Sequence, residues 1–422
     1  MLSHDLTVTL KALAAACPEL REGSDADGGA TGGLVPAFTA SPGSTEEAAA
    51  LLRAAAEHDM AVVFRGSGTR LGWGSPANRC DLLVDMRRMN AVLEHASGDL
   101  VAKAQAGALM GDVSAVLAAA GQEIALDVPA SATVGGVVAS GLAGPRRLRY
   151  GSPRDLLIGI TVVRADGTVA HSGGKVVKNV AGYDLGKLFT GSAGTLGLIT
   201  EATFRLHPLP AARLFVTAEF VAPTVGCDAV AAAANSPLVA SAVELHRAAP
   251  GGPMRVAVLL EGSSDGVTAR AGRMADLLGS GSVSAEAPAW WPGPPAAPAD
   301  GTLIRVSFWV SALGGVIDAI NEAARDTGVS PQLAGSAGAG VLYVSCPPED
   351  PAAAFVGALR GVLEHGRGAV VVLAAPAAVR DALAADGGMA GTHQPALSLM
   401  RAVKDQFDPG HRMAPGRFPE GI

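Results

Sequence analysis

Apolar residues recur at helical spacing at Ala48, Leu51, Leu52, Ala55 and Ala56, and the preceding Ser44-Thr-Glu-Glu47 has the form of a capping box, so a helix is predicted to start here. The apolar run Met60-Ala-Val-Val-Phe64 then predicts a strand. That strand feeds Phe64-Arg-Gly-Ser-Gly-Thr-Arg-Leu-Gly-Trp-Gly74, where four glycines alternate with polar and charged residues. Further strands are predicted over 81–86 and 104–107, and a helix over 110–120 closed by Gly121. Strands at 158–165 and 168–172 flank Asp166-Gly167, a strong hairpin signal, and a strand over 198–207 closes this half. His207-Pro-Leu-Pro210 forms a stiff boundary. Beyond it the pattern restarts, with strands at 214–220, 242–246, 255–261, 303–310, 340–346 and 369–374 and helices at 227–235, 266–278, 315–326 and 351–365. A proline-rich insertion at 287–299 interrupts the run, and a helix over 396–407 precedes a tail expected to return to the first domain. The expected fold is α+β in two domains, 1–208 completed by 395–422, and 209–394.

Composition narrows the class. At 422 residues, 49% hydrophobic and 17% charged, the chain can build well-formed cores and is too long for a single one. A net charge of -7 without any basic run argues against a nucleic-acid partner. Cys17, Cys80, Cys227 and Cys346 are far apart with no CxxC, so they form neither a zinc set nor a cluster-binding set. An iron-sulfur centre, if electrons pass through one, would therefore sit on another chain. Leu13-Ala-Ala-Ala-Cys17 superficially resembles a lipoprotein cleavage box, but Asp5 and Lys11 interrupt the apolar stretch, and it reads as the end of a helix. The longest strongly apolar run, 369–379, is too short to span a bilayer and contains Pro376. A cytoplasmic protein is expected, touching a membrane only peripherally through partners.

The glycine loop suggests phosphate. From Gly66 the pattern G-S-G-T-R-L-G is one residue too long for the nicotinamide fingerprint, and Trp73-Gly-Ser-Pro76 follows where that fingerprint needs a helix. No G-x-x-x-x-G-K-[ST] occurs either. A plain glycine turn stays open for this loop alone. Two more small-residue segments follow, Pro129-Ala-Ser-Ala-Thr-Val-Gly-Gly-Val-Val-Ala-Ser-Gly141 and Phe189-Thr-Gly-Ser-Ala-Gly-Thr-Leu-Gly-Leu-Ile-Thr200. Three such segments in one predicted domain imply a long ligand that touches backbone in several places, its phosphates held by amide N–H groups without a lysine.

The ordered set Arg65-Gly-Ser-Gly-Thr69, Ala132-Thr-Val-Gly-Gly136, Tyr150-Gly-Ser-Pro-Arg-Asp155 and 189–200 resembles the FAD-binding domain of the vanillyl-alcohol oxidase and PCMH superfamily. More narrowly, Gly141-Leu-Ala-Gly-Pro-Arg146 and Gly173-Gly-Lys-Val-Val-Lys-Asn-Val-Ala-Gly-Tyr-Asp-Leu185 are similar to GlcE subunits of glycolate oxidase. The resemblance implies a PCMH-type FAD-binding domain with an α+β cap domain. It implies that Arg65, Gly66, Ser67, Gly68, Thr69, Arg70 and Leu71 wrap the FAD pyrophosphate. Pro129, Thr133, Gly135, Gly136, Ala139, Ser140 and Gly141 would meet the pyrophosphate and ring region, and Gly197 and Ile199 the adenine side. Thr69 stands where relatives with covalently attached flavin have a histidine, so the FAD is expected to be non-covalent.

The implied reaction is oxidation of glycolate, or a related 2-hydroxy acid such as D-lactate, by hydride transfer to flavin N5. Such a site needs a positive group or N–H donors near the ring and a clamp for the substrate carboxylate. Lys178, Arg305 and Arg417 are the candidates, with Arg305 and Lys178 as the catalytic pair. Each also has a plain reading, as a hairpin charge, the exposed face of a strand and a surface tail residue. Tyr183 and Asp184 read as a pair that holds a turn. The resemblance further implies a GlcD-like flavoprotein partner and a GlcF-like iron-sulfur partner. Two features depart from the pattern. No H-x-G-x-G-N-x-H stretch is present, His365-Gly-Arg-Gly368 being the nearest, so no metal is expected; and Met413-Ala-Pro-Gly-Arg417 lacks the asparagine many relatives carry before Pro-Gly. A second function therefore stays open, a flavin-containing assembly or relay subunit with no substrate site of its own.

Overall fold

Ser44 caps the helix Thr45–Glu57 by accepting from the Glu47 N–H at 3.1 Å, while the Glu47 carboxylate reaches back to the Gly43 N–H at 2.8 Å. The return bond falls one residue earlier than a capping box places it, yet it satisfies the same kind of orphan donor. The helix buries Ala48, Ala49, Leu51, Leu52, Ala54 and Ala55. This computed structural model describes residues 4–28, 33–174, 183–279, 281–291, 293, 298–348, 350–363, 368–391, 396–417 and 421. They divide into two units, one of Met1–Leu142, Ser152–Leu209 and Pro395–Ile422, the other of Ala143–Gly151 and Pro210–Gln394.

The first unit holds two main sheets. In one, Phe38–Ala40, Leu82–Asp85 and Val62–Arg65 are parallel, and Leu20–Glu22 adds antiparallel to Phe38–Ala40. Buried on both sides, Leu82-Leu-Val84 reads as the continuous apolar run expected of a parallel strand. The other is antiparallel, in the order Val92–Ala96, Val101–Gln105, Leu198–Arg205, Leu157–Val163, Val169–Gly173. Its last two strands form the hairpin that Asp166-Gly167 announces, with Gly167 at a φ of 77°. The predicted helix at 110–120 is Met110–Ala118.

The second unit is built on an eight-stranded antiparallel sheet. Alternation along its strands separates two faces. Ile304, Val306, Leu342, Val344, Val370 and Val372 enter one core with Val230, Val267, Ile317 and Phe355 from the helices Pro223–Ala234, Ser264–Leu277, Leu313–Thr327 and Ala352–Leu363. Arg305 and Tyr343, one residue out of step, lie on the other face.

Several elements are not predicted from the sequence, among them the strands Leu20–Glu22, Phe38–Ala40 and Val92–Ala96 and the helix Ala377–Leu383. Val134–Ser140 is a short helix, although Gly135-Gly136 and its valines have poor helix propensity. Gly135 stands there because an added Cβ would lie 2.8 Å from the Ala106 Cβ. Gln332–Gly335 and Ser282–Ser284 are strands too short to show alternation. No helix among the described residues is long and apolar enough to cross a membrane.

Candidate functional site

In the first unit the three small-residue segments meet. A Cβ on Gly66 would lie 2.1 Å from Thr133 Oγ1, so only glycine lets the first segment lie against the second. Thr133 caps the helix Val134–Ser140 through the Gly136 N–H, and Gly141 ends it at a φ of 63°. The second segment then holds the third: the Gly191 N–H donates to Val138 O at 3.0 Å and the Ala193 N–H to Ala139 O at 2.8 Å. The third touches the strand that feeds the first, where a Cβ on Gly194 would lie 3.2 Å from the Phe64 ring.

The remaining residues of the set divide by role. Arg65 is occupied within the protein, its guanidinium pairing with Asp85 at 2.8 Å and Asp27 at 3.2 Å, which leaves its backbone for a ligand. Arg87 and Arg65 hold the Asp85 carboxyl below its ordinary range despite the opposing effect of burial, and Arg21 does the same for Asp27. Gly68 turns the loop at a φ of 80°, and the Arg70 guanidinium lies 4.3 Å over the Trp73 ring and donates to Thr69 O. Leu71 O accepts from Arg417. Pro129 O accepts from the Ala132 N–H, the Gly135 N–H donates to Ala106 O, and Ser140 Oγ donates to Val137 O. Gly197 has Val163 O and the Phe189 ring within 3.2 Å of an added Cβ, and Ile199 is buried opposite Val162. Two hydroxyls in the first and third segments, Ser67 Oγ and Thr190 Oγ1, are buried without a hydrogen-bond partner. An orphaned hydroxyl among glycines held back to bare backbone fits a ligand rich in acceptors.

The C-terminal segment braces this cradle. Met413 bridges to Val62, with the Ala414 N–H donating to Val62 O at 2.8 Å. Lys404, 2% exposed, donates to Asp408 at 2.7 Å, to Thr195 O at 2.8 Å and to Met413 O at 3.0 Å, so one buried ammonium ties the tail to the third segment. Burial pushes that ammonium below the ordinary lysine range, against the opposing pull of Asp408. Arg417 donates to Leu71 O and Trp73 O, both at 2.9 Å. Its cation is therefore engaged in shaping the first loop, a structural role the sequence did not reveal. Asp184 pairs with Lys187 at 2.9 Å, and Tyr183 is exposed. Lys178 and His365 lie outside the described residues.

The second unit carries a different set of groups. Glu261, 3% exposed, receives Arg213 at 2.8 Å, the Tyr150 hydroxyl at 3.2 Å and Arg146 at 3.6 Å. Next to Arg146, Arg147 donates to Tyr343 Oη at 3.3 Å and also to Ala143 O. Tyr343 lies directly across the ladder from Arg305. Burial pushes the Arg305 guanidinium below its ordinary range, with Tyr343 opposing and Arg147 reinforcing the shift. Its Nε is buried without a partner. Arg147 and Tyr343 escaped the sequence reading because nothing in a linear string joins positions that far apart. Among the described residues no group of three or more His, Cys, Asp or Glu is placed to hold a metal ion.

Residues 36–173, which contain the first two of the converging segments, match the FAD binding domain family. The cofactor is FAD. The fold is that of PCMH-type flavoenzymes: the chain superposes on p-cresol methylhydroxylase with a TM-score of 0.77 at 16% identity, covering 99% of this chain and 97% of that one. It superposes on 4-ethylphenol oxidase from Gulosibacter chungangensis with a TM-score of 0.71 at 15% identity, covering 100% and 98%. By sequence it is 38% identical over 179 residues to glycolate oxidase subunit GlcD of Bacillus subtilis, covering 42% of this chain and 38% of the relative. It is also 38% identical over 161 residues to glycolate oxidase subunit GlcE of Escherichia coli, covering 37% and 45%. D-lactate dehydrogenase of Archaeoglobus fulgidus is 36% identical over 168 residues, covering 40% and 38%. The match thus spans less than half the length of each of these relatives.

Proposed function

We propose that this chain is an FAD-dependent oxidoreductase subunit that oxidises a 2-hydroxy acid, glycolate or a close analogue such as D-lactate, to the 2-oxo acid. The observation that carries the reading is the Arg305 guanidinium, largely buried on a strand with no carboxylate partner among the described residues. Relatives named glycolate oxidase and D-lactate dehydrogenase support the substrate class. When bound, FAD supplies the hydride acceptor. Arg305 takes the substrate carboxylate and Lys178 offsets negative charge that develops on the ring side. The first loop, from Arg65 to Leu71, holds the pyrophosphate through backbone N–H groups and the Ser67 hydroxyl, Thr133 and Gly135 to Gly141 carry the second segment, and Gly197 and Ile199 the adenine side. Thr69 leaves the flavin unattached. The domains expected over 1–208 with 395–422 and over 209–394 act as FAD-binding domain and cap, with Ala143–Gly151 belonging to the second unit. Electrons pass on through a GlcD-like flavoprotein and a GlcF-like iron-sulfur subunit at the cytoplasmic side of a membrane.

The test is anaerobic addition of glycolate or D-lactate to the purified chain. Loss of the oxidised flavin absorbance supports the reading, and an unchanged spectrum with both acids, alone and with the partner subunits, sinks it. A second reading, an electron-relay or assembly subunit, is favoured by the missing H-x-G-x-G-N-x-H stretch. Bleaching that occurs only with a partner flavoprotein present supports that alternative.

A further inference from the structure

We propose that Arg147 and Tyr343 join Arg305 in a two-arginine carboxylate site on the polar face of the second unit's sheet, with Arg147 as the residue that sets specificity for the acid end of the substrate. The inference rests on the 2-hydroxy acid reading and assigns the site residues that reading leaves out. Strand register comes first: Arg305 and Tyr343 are directly paired on adjacent strands, so their side chains stand side by side on one face. Arg147 then donates to Tyr343 Oη at 3.3 Å. A phenol oxygen that accepts in that way keeps its own O–H for another acceptor.

The charges around this trio are not balanced. Arg146, the neighbour of Arg147 in the Gly-Pro-Arg-Arg run, has Glu261 at 3.6 Å, and the same carboxylate takes Arg213 and the Tyr150 hydroxyl. No described carboxylate pairs with Arg147 or Arg305, and the two cations are close enough that Arg147 lowers the Arg305 pKa further. Two guanidinium groups brought together in partial burial repel each other and favour an anion. Each guanidinium offers a planar fork of donors that matches the oxygens of a carboxylate or a phosphate, and the 2-hydroxy acid reading makes the anion a carboxylate. The Tyr343 O–H supplies one further donor, suited to the second carboxylate oxygen or to the neighbouring hydroxyl of the substrate.

The experiment is calorimetric titration of the FAD-loaded full chain with oxalate, a carboxylate that no flavin oxidises by this route, in wild type, Arg147→Met, Arg147→Lys, Tyr343→Phe and Arg305→Met. Oxalate affinity is expected to fall roughly tenfold in Arg147→Met, about threefold in Tyr343→Phe, and to be partly restored in Arg147→Lys. FAD content and melting temperature, measured in parallel, separate a lost site from a lost fold, and Arg147→Lys carries the test if Arg147→Met does not fold. Wild-type affinity in Arg147→Met and Arg147→Lys overturns the two-arginine site, as does an absence of oxalate binding in wild type. If Arg305→Met alone loses binding, the 2-hydroxy acid reading stands and only this inference falls. If wild type neither binds oxalate nor bleaches with glycolate, both fall.

Discussion

The two units prepare for anions by opposite means. The first removes side chains: glycines at 66, 135, 141 and 194 let separate stretches of backbone come within contact of each other, and its nearby cations, Arg65, Lys404 and Arg417, are engaged with protein acceptors. The second adds side chains, bringing Arg305 and Arg147 together around Tyr343 with no described acid to neutralise them. A backbone cradle suits a long cofactor held in place at many points, since each amide contributes little and the fold fixes them all. Guanidinium forks without a carboxylate partner suit a small anion that comes and goes, since charge gives both strength and selectivity at one point. Charge-changing substitutions should therefore damage the first unit through its stability and the second through its binding.

The largest effect should come from Lys404→Met, which strands Asp408, 0% exposed, without its cation. Breaking one side of a buried pair costs about 3–5 kcal/mol. Urea unfolding should show that loss, and Lys404→Met with Asp408→Leu should regain much of it. Unchanged stability in the single variant would mean that the tail is not tied to the third segment.

Gly66→Ala comes next. Its methyl group would collide with Thr133, and overpacking of this kind costs about 1–3 kcal/mol. FAD affinity, measured by flavin fluorescence, is expected to fall about tenfold or more, while Arg305→Met leaves it within about twofold. Equal losses in the two variants would erase the distinction between the units.

Ser67→Ala and Thr190→Ala should each remove about 1 kcal/mol of FAD binding with no loss of apo stability, because each hydroxyl lacks a protein partner. A fall in apo stability instead would assign them to the fold.

The smallest effect is in acid. Asp27 and Asp85 have carboxyls held below their ordinary range by Arg21, Arg87 and Arg65. A depressed acid stabilises the folded state above its unfolded pKa, and that contribution fades as pH falls through the folded one. The urea midpoint should therefore be flat from neutrality to about pH 5 and decline below about pH 4. Asp85→Asn should make the decline shallower.

Much of this was legible in the string. The N-cap at Ser44 and the hairpin at Asp166-Gly167 follow from local residue chemistry and the helices of the second unit from periodicity, which burial then reinforces. The helix Val134–Ser140 was not, because its glycines serve the approach to Ala106 and Thr133 rather than helix propensity. For the same reason the cradle showed itself as three depleted segments, yet their contacts depend on long-range packing that no spacing rule reports. Arg417 read as a candidate cation near the ring, and only the fold reveals Leu71 O and Trp73 O as its acceptors. Tyr343 sat unnoticed in an ordinary alternating strand, since its meaning comes from Arg305 across the ladder and Arg147 on a distant turn.

The most direct measurement is a flavin count on the purified chain after acid precipitation. Convergence of the three segments on one extended dinucleotide predicts about one FAD per chain, free in the supernatant, and an apo form that takes FAD up again. A folded chain that releases no flavin and binds none when it is added would contradict the account.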